Sequence, residues 1–352
     1  MSQHTQKKYG FLTTALYFTT LISGVGAAWG LITIKSNPAS NKSLKNSYQN
    51  LKQAINNGTE FSTKLNKNYK YFNNQSKPNL AINIWEGANI QHKNVNLEKL
   101  FLEYRAEMET KLSEIKSSIK SKSFQESDLQ KWTLDLEGLE KTIKQKLEEK
   151  IVMLEEIAKI CSELATNSAE YNDNSSISTT LKEKMVPWFK NNVQNKLLEN
   201  DQNLKSITSE ELKTILSDVK KQNELFKYYK YASNLNVLLN ADPVLNANNL
   251  EQKIDGYIEK SNKDNSAWKN FKNQLATLKN QLADAKNKAK TDIELIDSTS
   301  NINKLSKINI KETSGNETSY DYSSSYDLLK NVMRDIQKSL LELEQKVANY
   351  EK

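Results

Sequence analysis

The sequence predicts an all-α protein in which a single N-terminal transmembrane helix precedes an elongated antiparallel helical bundle or coiled-coil body. The first observation behind this prediction is a stretch of 26 residues, 9–34, that contains no charged side chain. The second is the recurrence of apolar residues at spacings of three and four along most of the remaining chain. The third is the scarcity of turn residues: the 352-residue chain has 9 Gly and 4 Pro, too few for a turn-rich β protein.

The uncharged stretch follows a short tail, 1–8, and is predicted to be a membrane anchor that begins at Tyr9 and ends at Ile34. Roughly 20 apolar residues suffice to cross a bilayer. Within the stretch, Gly26 and Gly30 have the G-x-x-x-G spacing that lets two membrane helices approach closely, although Gly is common in membrane helices in any case. The segment also has the basic start and small-residue site of a cleaved signal peptide, and this alternative stays open.

The protein is predicted to lie in the cell membrane as a single-pass protein with its body outside the cell. Two lysines, Lys7 and Lys8, precede the stretch, and several others follow it closely, so the positive-inside rule does not decide the orientation. The short tail is typical of a signal-anchor, and long soluble domains are translocated largely regardless of charge. These two points favour an extracellular body.

A basic segment, 35–95, follows the stretch and is predicted to be partly helical, with a loop from residue 73 onward. Residues 35–93 contain nine Lys and two Glu, a net charge of +7 that equals the net charge of the whole chain. Such a segment would be attracted to anionic lipid headgroups, or it would be a solvated linker. The predicted loop contains Trp85 within a short alternating apolar pattern that could be a short extended piece.

The first predicted bundle region, 96–200, begins with a helix from Leu97 to about residue 119. A second, much longer helix is predicted over about 127–166, followed by a loop that contains Asn172 and by a shorter helix that is kinked or restarted at Pro187. The lone cysteine, Cys161, falls on the apolar face of the long helix, where a free thiol packs as a small hydrophobic group.

The second predicted bundle region, 201–352, begins with a helix that has an N-terminal capping signal. Thr208 is predicted to be the N-cap and Glu211 to complete a capping box. This helix is expected to run to about residue 239, where Asp242 and Pro243 end it, and a short helix is expected around 250–257.

Two segments with strict heptad spacing, 268–289 and 326–350, are predicted to pair as antiparallel helices. One register fits every layer of the seam, and its first layer places Trp268 beside Tyr350. A parallel homodimer through the first segment would bring no opposite charges together, so a homo-oligomer has no support in the sequence.

The connection between the two heptad segments, about 298–322, is long for a helical hairpin. Its composition favours disorder, and a binding element is the alternative. Four residues in predicted exposed loops are candidate partner contacts: Trp85, Asn172, Tyr320 and Tyr322.

No catalytic, cofactor-binding or metal site is predicted, and the protein is expected not to be an enzyme. The two histidines, His4 and His92, lie on opposite sides of the uncharged stretch, and the soluble body has no glycine-rich phosphate loop. The segment 226–231 mixes aromatic rings with lysines, as single-strand nucleic-acid binders do. However, Tyr228 and Tyr231 are interpreted as ordinary cover on the outer face of a helix, and no nucleic-acid partner is expected.

Lys and Asn are abundant, and Arg occurs only at positions 105 and 334. With the predicted anchor and helical body, this composition resembles the surface proteins of wall-less, mycoplasma-type bacteria. The resemblance covers the whole chain but includes no family motif. It implies a membrane-anchored, surface-exposed protein that acts by adhesion or another cell-surface interaction, with the lipid bilayer and a protein or surface component as partners. The alternative is a cytoplasm-facing, spectrin-like membrane scaffold.

Overall fold

The fold was obtained as a computed structural model and is mostly helical, which confirms the all-α prediction. The described residues are 14–16, 32–34, 40–67, 80–121, 124–170, 177–198, 204–308, 310–313, 319–322 and 325–350. Among the helices of these ranges, none is both long enough and apolar enough to cross a membrane. The chain divides into two compact units. Unit 1 comprises residues 1–78, 97–150 and 203–206, and unit 2 comprises residues 79–96, 151–202 and 207–352.

Unit 1 is built on helix α1 (Ser40–Lys67), helix α2 (Leu97–Ser121) and the first part of helix α3 (Glu126–Ala169). Helix α3 continues into unit 2, and its bounds agree with the predicted long helix. The apolar stripes of α1, α2 and α3 form the core of unit 1. The most deeply buried of their side chains are Leu51, Phe61, Leu100, Met108, Leu129, Leu136 and Leu147.

Polar contacts fix the directions of the three helices in unit 1. The hydroxyl of Ser62 on α1 donates a 3.0 Å hydrogen bond to Glu109 on α2, and Lys111 on α2 forms a 3.0 Å ion pair with Asp135 on α3. Gly58, one turn before Ser62, lies against Leu112 of α2, so residue numbers fall along α2 as they rise along α1 and the two helices are antiparallel. Ser47 of α1 contacts Glu126 of α3, and Phe61 lies beneath Lys144 farther along α3, so α1 and α3 run parallel and α2 runs antiparallel to both.

Two short strands of unit 1 lie within the stretch predicted to be a membrane helix. Strand β1 (Thr14–Leu16) pairs antiparallel with strand β2 (Ile32–Ile34), so that Thr14 lies opposite Ile34. These six residues are extended where the prediction has a helix. The other residues of the stretch, including Tyr9, Gly26 and Gly30, lie outside the described part of the chain.

Unit 2 begins with a hairpin of strands β3 (Leu80–Trp85) and β4 (Ile90–Val95), in place of the predicted loop. In the turn, Gly87 has a φ of +84°, a backbone conformation that favours glycine, and the amide of Glu86 donates a 3.0 Å hydrogen bond to the carbonyl of Asn89. The hairpin packs against the next two helical elements, α4 (Ile177–Phe189) and a π-helix (Lys190–Leu198).

The π-helix begins three residues after Pro187, near the predicted kink or restart. Proline has no backbone N–H and its ring displaces the carbonyl of the preceding turn. A change from α-helical to wider π-helical hydrogen bonding is therefore the form that the predicted irregularity takes.

Helix α5 (Ser209–Asn236) continues into a π-helix (Val237–Ala241) that is capped by Asp242, as predicted. Its predicted capping box is also confirmed. The amide of Glu211 donates a 3.1 Å hydrogen bond to the Thr208 hydroxyl, and the amide of Thr208 donates a 2.7 Å hydrogen bond to the Glu211 carboxylate.

We expect Thr208→Ala to lower the free energy of unfolding by about 1 kcal/mol, because the amide of Glu211 loses its acceptor and the Glu211 carboxylate loses the 2.9 Å hydrogen bond that the Thr208 hydroxyl donates. Thr208→Ser keeps the accepting oxygen and should restore most of this loss. The measurement is urea denaturation of the full chain followed by circular dichroism. Equal stability of wild type and Thr208→Ala would show that the capping box does not stabilise the fold.

The two heptad segments form helices α7 (Lys272–Ser298) and α9 (Ser325–Tyr350), which pack against each other. Helix α6 (Ala247–Ser261) and a 3₁₀ helix (Ala267–Phe271) lie against both. The buried side chains of α7 and α9 include the predicted seam residues Leu275, Leu278, Leu282, Ala285, Leu329, Met333, Ile336, Leu340, Leu343 and Val347.

The predicted contact between Trp268 and Tyr350 in the first layer of this seam is wrong. The indole of Trp268 stacks on the ring of Tyr257 in α6, with centroids 4.1 Å apart and planes at 10°. The ring that lies against Tyr350 is that of Phe271, at 6.2 Å. The physical reason is the third helix: α6 offers Trp268 a flat aromatic partner that a two-helix register does not include.

The described part of the connection between α7 and α9 contains a single-turn helix, α8 (Ile302–Leu305), and two paired antiparallel strands, β5 (Ile310–Thr313) and β6 (Ser319–Tyr322). Ile310 and Thr313 are β-branched and Tyr320 and Tyr322 are aromatic, residue types that favour an extended backbone.

Candidate functional site

Of the four candidate partner contacts, Trp85 is the one that the structure corrects most clearly. Its side chain is completely buried at the end of β3, so it lies in the core of unit 2 and not in an exposed loop. In the turn that follows, Glu86, Ala88 and Asn89 are exposed, whereas Gly87 is buried against Lys182 and Val186 of α4.

The other candidates are distributed as follows. Tyr320 and Tyr322 belong to strand β6, where they lie opposite Glu312 and Ile310, and not to a loop. Asn172 lies outside the described residues, as do three of the four residues predicted for the anchor. The fourth, Ile34, ends strand β2. Of the described candidates, Tyr320 and Tyr322 thus share one strand, and Trp85 belongs to a different hairpin.

A site that the sequence analysis did not predict lies in unit 1, between the parallel helices α1 and α3. It is a groove of about 440 Å³, here called the amide groove. Its lining consists of Ser47, Asn50, Gln53 and Asn57 from α1 and Gln130, Thr133, Leu134 and Glu137 from α3. Ligand-binding clefts typically measure about 300–1,000 Å³.

The α1 wall of the groove follows from the sequence of that helix. Asn50, Gln53 and Asn57 are spaced by three and four residues, so they share one face of the helix. The opposite face carries the apolar residues that pack in the core, such as Leu51 and Ile55. Burial of that apolar face leaves the carboxamides exposed on the groove side.

The two walls are joined by hydrogen bonds near the first turns of both helices. The Glu126 carboxylate accepts from the hydroxyls of Ser43 and Ser47, the latter at 3.2 Å, and from the Gln130 amide at 3.2 Å. The Gln130 amide also reaches the Ser47 hydroxyl at 3.5 Å. This network holds the two helices at a fixed spacing at one end of the groove.

The carboxamides farther along α1 are not used in this way. Within the described part of the chain, the side chains of Asn50, Gln53 and Asn57 make no hydrogen bond to another residue. Each carboxamide has one carbonyl oxygen that accepts and one NH₂ group that donates. The wall therefore offers both donors and acceptors to a molecule in the groove.

Comparison with protein families, curated proteins and solved structures finds no match to this chain.

The electrostatics of the amide groove come from one lining carboxylate, Glu137, and from Glu126 in the hydrogen-bonded network at its end. Lys and Arg are not among the described residues that line it. The side chain of Leu134, which is 68% exposed, is the one apolar group of the lining. The groove thus combines neutral polar groups, one negative charge and one apolar patch.

A second polar cluster, in unit 2, has a structural role. The Glu344 carboxylate of α9 accepts hydrogen bonds from Lys253, at 2.8 Å, and from the hydroxyl of Tyr257. These two bonds lower the pKa of Glu344, and burial, followed by the contact with Glu344, raises the pKa of Tyr257. Because every member of the cluster is bonded to another, it ties α6 to α9 and leaves no group for a ligand.

The aromatic–basic segment of α5 is buried on several faces. Phe226, Tyr228, Tyr229 and Tyr231 are all at most 6% exposed. The prediction that Tyr228 and Tyr231 lie on the outer face of the helix is therefore wrong. Buried rings cannot serve as stacking platforms for bases, and within the described residues this segment is part of the core of unit 2.

The described residues contain no group of three or more His, Cys, Asp and Glu side chains placed to hold a metal ion. The lone thiol, Cys161, is completely buried, as predicted for the apolar face of α3. Burial raises the pKa of this thiol from 9.0 to about 12. A thiol with this pKa is almost entirely protonated at neutral pH, and the thiolate is the reactive form.

We expect Cys161 in the folded protein to react with Ellman's reagent at pH 8 at least about 100-fold more slowly than in 6 M urea, because the reagent needs an exposed thiolate. Fast reaction of the folded protein would contradict the burial of the thiol.

The same burial makes the stability of the fold pH-dependent. The contribution of the neutral thiol is complete below about pH 9 and is lost as the pH rises toward 12. The urea midpoint should therefore fall more between pH 8 and pH 10.5 in the wild type than in Cys161→Ala.

The carboxamide wall of the amide groove was missed because polar residues on the outer face of a helix are normally interpreted as solvation. A signal was nevertheless present in the sequence. Helix α1 is rich in Lys, yet its positions 46, 49, 50, 53, 56 and 57 are all Asn or Gln. These Asn and Gln residues form an uncharged stripe on a helix that is otherwise basic, and the stripe marks one side of its polar surface.

Proposed function

We propose that this chain is a membrane-anchored, surface-exposed protein that acts by binding a partner and does not catalyse a reaction. The uncharged residues 9–34 would be the anchor, and the two units would lie outside the cell. The amide groove of unit 1 is the binding site in this proposal. The finer points of anchoring, orientation and adhesion rest on the sequence arguments given above.

The observation that carries the proposal is the set of free carboxamides in the groove. The exposed side chains of Asn50, Gln53 and Asn57 are arranged along one wall of a cleft of ligand size. Their neighbour Gln130 is held in place by its hydrogen bonds to Glu126 and Ser47. The carboxamides of α1 offer donors and acceptors that a partner in the groove can pair with.

The location is tested with trypsin on intact cells that produce the chain, with lysed cells as the control and an antibody against unit 2 as the probe. The many exposed lysines of the body should be cleaved in intact cells. Protection in intact cells together with cleavage after lysis would place the body inside, contradict the surface proposal and favour the membrane scaffold.

The binding site is tested with the purified full chain and cultured animal cells. We expect the chain to adhere to the cells. The amount of the double variant Asn50→Ala/Gln53→Ala that adheres should be at least about 10-fold lower. The matched control is Gln49→Ala/Asn56→Ala, which removes two exposed carboxamides of the same helix that do not line the groove. Equal losses in both variants would contradict the role of the amide groove.

A further inference from the structure

We infer that the ligand of the amide groove is a neutral saccharide, bound through its hydroxyl groups. This inference rests on the proposed binding function and specifies the chemical class of the partner.

The charge of the groove argues against an anionic ligand. Glu137 lines the groove, Glu126 lies at its end, and cationic side chains are not part of the described lining. A phosphate, a sulfate or an acidic sugar would lie beside these carboxylates without a cationic side chain in the described lining to bind it, which disfavours binding. A neutral ligand avoids this repulsion.

The hydrogen-bonding groups of the groove match hydroxyls. A hydroxyl both donates and accepts, and each of Asn50, Gln53 and Asn57 offers a donor and an acceptor on the same short side chain. The carboxylate of Glu137 adds a charge-assisted acceptor for a hydroxyl proton, a stronger bond than one between neutral groups. The hydroxyl of Thr133 is already donated to the Leu129 carbonyl at 2.8 Å, so it can only accept from a ligand.

The walls of the groove do not suit the common modes of peptide recognition. Both walls are helices, so no strand edge is present to which a peptide could add. A helical peptide needs an apolar groove and a proline-rich peptide needs an aromatic one, whereas Leu134 is the one apolar residue of the described lining. Leu134 is, however, sufficient to contact the C–H face of a single sugar ring.

The test uses the purified full chain on a glycan array that carries neutral oligosaccharides beside their sialylated and sulfated counterparts. We expect the chain to bind the neutral glycans and to give a lower signal on their acidic counterparts. The variant Asn50→Ala/Gln53→Ala should lower the signal at least about 10-fold, and the control Gln49→Ala/Asn56→Ala should leave it unchanged.

A parallel experiment separates this inference from the proposed function. Cells treated with periodate or glycosidases should lose groove-dependent adhesion of the chain, whereas mock-treated cells should keep it. If adhesion still depends on Asn50 and Gln53 but survives glycan removal, the saccharide inference is overturned and the binding function stands. If no adhesion depends on the groove at all, the proposed function fails together with the inference.

Discussion

Trp85→Ala should lower the free energy of unfolding by about 3–5 kcal/mol, the range for removing a buried aromatic side chain. The side chain is 0% exposed and belongs to the largest fully buried side chains of the described residues. Its removal leaves a cavity beneath a two-stranded hairpin, and such a hairpin has little stability of its own. The hairpin and its contacts with α4 and the π-helix should therefore loosen together. Urea denaturation followed by circular dichroism measures the loss.

The substitution Trp85→Phe distinguishes the stabilising effect of the indole's volume from the effect of its N–H group. The indole N–H is buried and has no acceptor among the described residues. Phenylalanine keeps most of the apolar volume and removes this unpaired donor, so we expect a loss below about 1.5 kcal/mol. Trp132→Ala, which removes a half-buried indole from unit 1, is the control and should cost less than Trp85→Ala. A loss with Trp85→Phe as large as with Trp85→Ala would mean that the N–H has a partner in solution.

Long helices were predictable because one face of each is apolar and the period of 3.6 residues is directly visible in the sequence. The long helix α3, the capping box at Thr208 and the end of the helical run at Asp242 all follow from such local signals. Local signals work here because the stabilising contacts are between residues three and four positions apart.

The hairpin that contains Trp85 was not predictable in the same way. The pattern of Ile82, Ile84 and Trp85 is short, and it is surrounded by Asn, Pro and Gly, which are typical of loops. A strand is stabilised by its partner strand and by what covers it. The cover is provided by α4 and the π-helix, which lie about 100 residues farther along the chain.

The amide groove required tertiary information for a similar reason. Its two walls are separated by about 80 residues in the sequence. Helix α2 connects them along the chain and runs in the opposite direction, which is what allows α1 and α3 to be parallel. Periodicity places Asn50, Gln53 and Asn57 on one face of α1. It does not indicate that Gln130 and Glu137 of α3 line the other side of the same groove.

Helix α5 shows a third limit of periodicity, and Tyr231 tests it. Phe226 and Tyr229 define an apolar face, but Tyr228 and Tyr231 are buried as well because neighbouring elements cover more than one face of the helix. Tyr231 is 0% exposed, and its hydroxyl donates a 2.7 Å hydrogen bond to the Asp292 carboxylate of α7. The residue therefore contributes both apolar packing and a specific link between two helices.

We expect Tyr231→Ala to lower the free energy of unfolding by about 3–5 kcal/mol, since it empties a fully buried site. Tyr231→Phe keeps the ring and removes one hydrogen bond to a carboxylate, so its cost should be about 1.5–3 kcal/mol. Tyr350→Ala is the matched control, because that tyrosine is 68% exposed, and its cost should stay below about 1 kcal/mol. If Tyr231→Ala and Tyr350→Ala had similar small effects, Tyr231 would lie on the outer face of α5, as periodicity alone suggested. A large loss with Tyr231→Ala and an intermediate one with Tyr231→Phe would instead establish that the aromatic–basic segment is core.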